Sequence, residues 1–143
     1  MRIPVRCTEQ AERARVPSYR KDPLHGFLVG LKMLAELVAD LPKGHPGCLI
    51  AAYCYQDRLF DQQVRDLNAA AVLAWRKRFR SRLDLISQRY RPRIPVDLDD
   101  LADMLSAVAD GGIVLSRVLK DPKAMPRQIL LYREFVKAVF TAT

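Results

Sequence analysis

His25, His45 and Cys48 carry the donor chemistry of a zinc site. His45 and Cys48 flank a Pro-Gly turn and no fourth ligand lies near them in the chain, so both histidines are expected to be surface residues, with no metal. Cys48 or Cys54 could act as a nucleophile only with a base and an orienting group in reach, and the spacing supplies no such triad. The cysteines are three, Cys7 included, with no CxxC pair, which reads as reduced thiols, Cys48 and Cys54 being small core residues. Four carboxylates gather at Asp97, Asp99, Asp100 and Asp103, where they open a helix and favour the positive end of its dipole. Capping accounts for them. No glycine-rich phosphate loop is present. These residues point away from an enzyme and call for no cofactor.

Binding chemistry is better represented. Pockets in helical proteins sit between helices and are mostly apolar, with a few polar groups that set orientation. Phe27, Leu31, Tyr53, Trp75, Phe79 and Met104 are the candidate walls, and Gln56 and Asn68 the polar fixtures, for a small hydrophobic or aromatic ligand. A second possibility lies in residues 76–93, which hold much of the net charge of +8. A basic balance raises the prospect of nucleic acid or another anion as partner. Within Arg76-Lys77-Arg78-Phe79-Arg80-Ser81-Arg82, however, the charges take outward helical positions above an apolar stripe of Trp75, Phe79, Leu83 and Ile86, the pattern of a solvated face.

The elements that must position these groups are all helices. A chain of 143 residues, half of them hydrophobic, suits one globular domain. No apolar run approaches the roughly 20 residues of a membrane span, and the charges near the start leave no room for a signal-peptide core, so a cytoplasmic protein with no membrane contact is expected. Residues 1–22, punctuated by Pro4 and Pro17, read as an extended arm ahead of a helical domain over 23–143. Asp22-Pro23 opens the first helix, with Leu24, Phe27, Leu28, Leu31, Leu34, Ala35, Val38 and Leu41 on one face. After the breakers Pro42, Gly44, Pro46 and Gly47, residues 48–55 suggest a short buried helix. Asp61 caps a long helix striped by Val64, Leu67, Ala71, Trp75, Phe79, Leu83, Ile86 and Tyr90. Two more follow, over residues 97–120 and 125–140, separated by Asp121-Pro122. The prediction is an all-α, five-helix bundle.

The last two helices carry more apolar surface than one core uses. Because the final helix ends the sequence, with no later segment to cover it, a second copy is the expected cover, met by Leu105, Val108, Gly112, Leu115, Leu119, Leu131, Phe135 and Val139. The pair Gly111-Gly112 costs about 1 kcal/mol per residue against alanine within a helix. Close approach of two helices across that homodimer is the expected compensation.

Two stretches carry a family likeness. Pro46-Gly47-Cys48-Leu49-Ile50-Ala51-Ala52 resembles the Gly-Cys-Leu turn and helix in the C-terminal domains of TetR-family transcriptional regulators. The run from Asp110-Gly111-Gly112-Ile113 through Lys120-Asp121-Pro122-Lys123-Ala124-Met125, followed by Gln128 and Tyr132-Arg133-Glu134-Phe135-Val136, is similar to the final two helices of the same family. The resemblance implies a helical domain that binds a small effector among its first helices and dimerises through its last two. The family's helix-turn-helix DNA reader has no counterpart in residues 1–22, which are too few for three helices, so DNA is expected as a partner only of a longer form.

Overall fold

A computed structural model describes residues 21–141, and the arm expected over 1–22 lies outside them except for Lys21 and Asp22. Five α-helices follow in order: α1 Pro23–Ala39, α2 Leu49–Cys54, α3 Gln62–Arg89, α4 Leu98–Val118 and α5 Ala124–Phe140, with a 3-10 turn at Asp57–Leu59 before α3. There is no strand among the described residues, and no helix is long and apolar enough to cross a membrane.

Side-chain caps begin three of these helices where the sequence places them. Asp22 accepts from the backbone N–H groups of Leu24 and His25, Asp61 from that of Val64, and Asp97 from those of Asp99 and Asp100. The first turn of α5 has no such residue of its own and borrows one. Ser116 Oγ of α4 accepts from Met125 N at 3.1 Å. Between the two, Lys120 takes a left-handed φ of 52°, and the N–H of Asp121 returns to Ser116 O at 2.9 Å, which closes α4 and turns the chain back.

Helix α5 is the centre of the fold. Gly112 of α4 faces Met125, and further along Tyr132 Oη reaches Leu101 O at 2.8 Å, so α4 and α5 run antiparallel. From the other side α1 supplies Leu24, Leu28 and Leu31, which join Leu101, Ala102, Leu105, Tyr132, Val136, Val139 and Phe140 in the main core, with Leu83 and Ile86 from α3. A second cluster unites Ala35 and Val38 of α1 with Ile113, Met125 and Ile129. The final helix is therefore covered by an earlier segment, not left bare as its place in the sequence suggested. Its surplus is reduced to Leu130, Leu131 and Phe135.

Two further expectations are corrected. Helix α2 forms, but none of its residues is buried, and Leu49 and the following Tyr55 are 70% and 82% exposed. Cys54 is exposed with it, while Cys48 packs against the second cluster. In α3 the apolar stripe is buried only at Leu83 and Ile86, because α1, α4 and α5 reach no further up the helix with their buried side chains; Leu67 and Trp75 stand in solvent.

Candidate binding groove between α1 and α3

The N-terminus of α1 is tied to the C-terminus of α3 by two contacts. Tyr90 Oη donates to Asp22 Oδ2 at 2.7 Å, and Arg89 Nη1 donates to Lys21 O at 2.9 Å while its guanidinium lies 5.7 Å from the centre of the Tyr90 ring. The Tyr90 hydrogen bond holds the Asp22 carboxyl below its ordinary value, helped by the cap N–H groups and the charge of Arg89 and opposed by burial. Further along, Phe27 meets Phe79 edge to face, with centroids 6.5 Å apart. Helices α1 and α3 thus also run antiparallel.

Between them lies an open groove of about 1180 Å³. Its α1 wall is Pro23, Gly26, Phe27, Gly30, Leu31 and Leu34, a stripe at helical spacing made only of apolar and small residues. The α3 wall presents Phe79 and Leu85 among Arg78, Ser81, Arg82, Gln88 and Arg89. One wall is apolar and the other is cationic. Among the described residues no acid lines the groove. Trp75 stacks on Phe79 at 5.4 Å with the rings 16° from parallel, extending the aromatic floor toward solvent, where Trp75 is 51% exposed.

Of the eight residues nominated from sequence for the ligand site, six as walls and two as polar fixtures, Phe27, Leu31 and Phe79 meet in this groove and Trp75 adjoins it through Phe79. The other four do not line it. Tyr53 packs edge to face on Phe60 at 4.7 Å, Gln56 is exposed after α2, Asn68 is half-buried on the outer half of α3, and Met104 is exposed on α4. The lining residues missed from sequence include Pro23, Leu34 and Leu85 as well as the two glycines and the three arginines. Residues 78, 82 and 89 of the basic run recur on one helical face, and that period was the signal available.

The rest of the basic run divides by partner. Arg76 makes a two-pronged pair with Asp103 of α4, Nε to Oδ1 at 2.9 Å and Nη2 to Oδ2 at 2.5 Å, which lowers the Asp103 carboxyl and raises the Arg76 guanidinium from their ordinary values. Arg80 bridges Asp84, at 2.9 Å, and Asp99, at 2.8 Å. Two of the helix-opening carboxylates therefore also hold α3 to α4, whereas Asp97 serves the cap, its carboxyl lowered by the N–H groups of Asp100 and Asp99. Among the described residues no three His, Cys, Asp or Glu side chains gather as metal ligands, and His45 Nδ1 accepts from Gly47 N at 3.2 Å.

The residues nominated for a dimer fall into two sets. Leu105, Gly112 and Val139 are buried within the subunit, and Val108 is half-buried. The close approach expected of Gly112 is internal, since a Cβ there would lie 2.8 Å from Met125 Cα. Leu115, Leu119, Leu131 and Phe135 remain exposed, Leu119 and Leu131 each at 64%, with Val114 and Val118 beside the first two. No family model, no curated protein and no solved structure matches the chain.

Proposed function

We propose that this chain is the effector-binding and homodimerisation domain of a TetR-type transcriptional regulator, a cytoplasmic sensor of a small apolar or aromatic ligand and not an enzyme. The observation that carries this reading is the groove between α1 and α3, with its aromatic floor of Phe27 and Phe79 and its long apolar wall. The exposed leucines of α4 and α5 support a second copy as partner, because large apolar side chains left in water are worth roughly 1.5–3 kcal/mol each on burial. DNA is a partner only where a helix-turn-helix domain accompanies this one.

The route from ligand to partner runs through named contacts. A molecule against Phe79 bears on α3; α3 is joined to α4 by Arg76–Asp103 and Arg80–Asp99; and α4 carries Leu115 and Leu119. Only a ligand with different affinity for two arrangements of these helices can shift their populations. The experiment uses the single tryptophan as reporter. Apolar and aromatic compounds that bind should change Trp75 fluorescence and raise the melting temperature. A folded protein that answers to none of a broad panel defeats the proposal.

The rival reading is direct nucleic-acid binding by α3, favoured by Lys77, Arg78 and Arg82, which have no ion-pair partner among the described residues. Engagement of Arg76 and Arg80 by aspartates weakens it. Binding of oligonucleotides that falls steeply with salt would favour that rival.

A further inference from the structure

From the charge of the groove we infer that its ligand is an amphipathic anion, an acyl or arylalkyl chain ending in a carboxylate, whose head is held by Arg78 and Arg82. This inference rests on the groove being the binding site. Arg78 and Arg82 stand one helical turn apart on the lining face of α3, where like charges repel, and neither has an acidic partner among the described residues. The third lining arginine is already engaged, since Arg89 is held by Lys21 O beside the Asp22 carboxylate. The unanswered positive charge therefore flanks Phe79, which faces Phe27, and lies away from the Asp22–Tyr90 tie. A carboxylate there can take paired, charge-assisted hydrogen bonds from guanidinium groups.

The remaining lining fits the tail. The α1 wall covers residues 23–34 and the α3 wall residues 78–89, each about 16 Å at 1.5 Å per residue, the reach of a medium-length acyl chain. Gly30 is exposed in mid-helix, and a Cβ built on it would meet nothing within 4 Å. No contact among the described residues calls for glycine at that position. Its effect is to leave the α1 wall of the groove open, so that a chain can lie over it. A nucleic-acid strand would meet phosphate partners on one wall only and an apolar stripe on the other, whereas a molecule with one charged end matches both.

The test titrates the full chain with decanoate and decanol at fixed ionic strength, read by Trp75 fluorescence. Decanoate should bind at least about tenfold tighter than decanol, a difference equivalent to about 1.4 kcal/mol. Arg78→Gln and Arg82→Gln should each remove most of that preference and leave decanol unchanged. Gly30→Leu should abolish binding of both probes without lowering the melting temperature, because leucine is the better helix former. Equal affinity for decanoate and decanol, both lost in Gly30→Leu, overturns the carboxylate assignment and leaves the groove standing. Failure of both probes to bind, or binding that survives Gly30→Leu, overturns the groove as well. Displacement of decanoate by a short oligonucleotide, with a steep salt dependence that Arg82→Gln flattens, would assign the arginines to phosphates instead.

Discussion

Tyr90 Oη donates to Asp22 Oδ2 at 2.7 Å, so one carboxylate both caps α1 and fastens it to the end of α3, 68 residues away. The folded Asp22 carboxyl lies below its ordinary value of 3.8, chiefly through this bond. A depressed carboxylate contributes stability that is present above the unfolded value and lost as pH falls through the folded one. Asp22→Ala should cost about 1 kcal/mol near neutrality, the usual loss of an N-cap. The melting-temperature gap between wild type and Asp22→Ala should then shrink as the pH falls below 3.8. A gap that does not change with pH would show the ionised carboxylate to be irrelevant.

Adjacent glycines in α4 should respond in opposite directions. Gly112→Ala places its Cβ 2.8 Å from Met125 Cα, a backbone atom that cannot step aside cheaply, and overpacking of this kind costs typically 1–3 kcal/mol. Gly111→Ala meets nothing within 4 Å and should stabilise by about 0.5–1 kcal/mol through helix propensity alone. Urea unfolding of the two variants measures both. Equal effects would remove the close approach of α4 and α5 from the account.

The buried Tyr132 hydroxyl donates to Leu101 O at 2.8 Å, and burial pushes its ionisation upward from the ordinary 10.0. A phenol whose folded value is raised contributes stability that is complete below 10.0 and disappears as pH climbs toward the folded value. Tyr132→Phe should lose about 1 kcal/mol at neutral pH through the missing hydrogen bond. It should also unfold at higher pH than expected from that loss, because no phenol then has to ionise. Alkaline denaturation followed by circular dichroism makes the comparison.

Single charges should separate surface leucines from core ones. Leu119→Glu and Leu131→Glu, at exposed positions, should leave the subunit folded and turn the proposed dimer into a monomer in sedimentation experiments. Leu105→Glu, in the main core, should unfold the chain. A wild-type protein that sediments as a monomer at high concentration would remove the second copy from the proposal.

What was readable from the residues alone is what depends on neighbours in sequence. Helical spacing of apolar residues, the caps at Asp22, Asp61 and Asp97, and the breakers between helices involve groups within four positions of one another, and they place all five helices. Which apolar side chains those helices would bury is a different matter. Leu131 and Val136 look alike as members of an apolar helix, yet one is exposed and the other buried, because α1 and α4 approach α5 on particular sides. The same non-local packing turned Gly112 inward on Met125, left α2 bare, and paired Arg76 with an aspartate 27 residues away. The groove belongs to that level as an assembly, although Phe27, Leu31 and Phe79 of its lining were named from sequence. Its apolar wall and its arginines come from separate helices, and only the antiparallel seating of α1 on α3 sets them face to face.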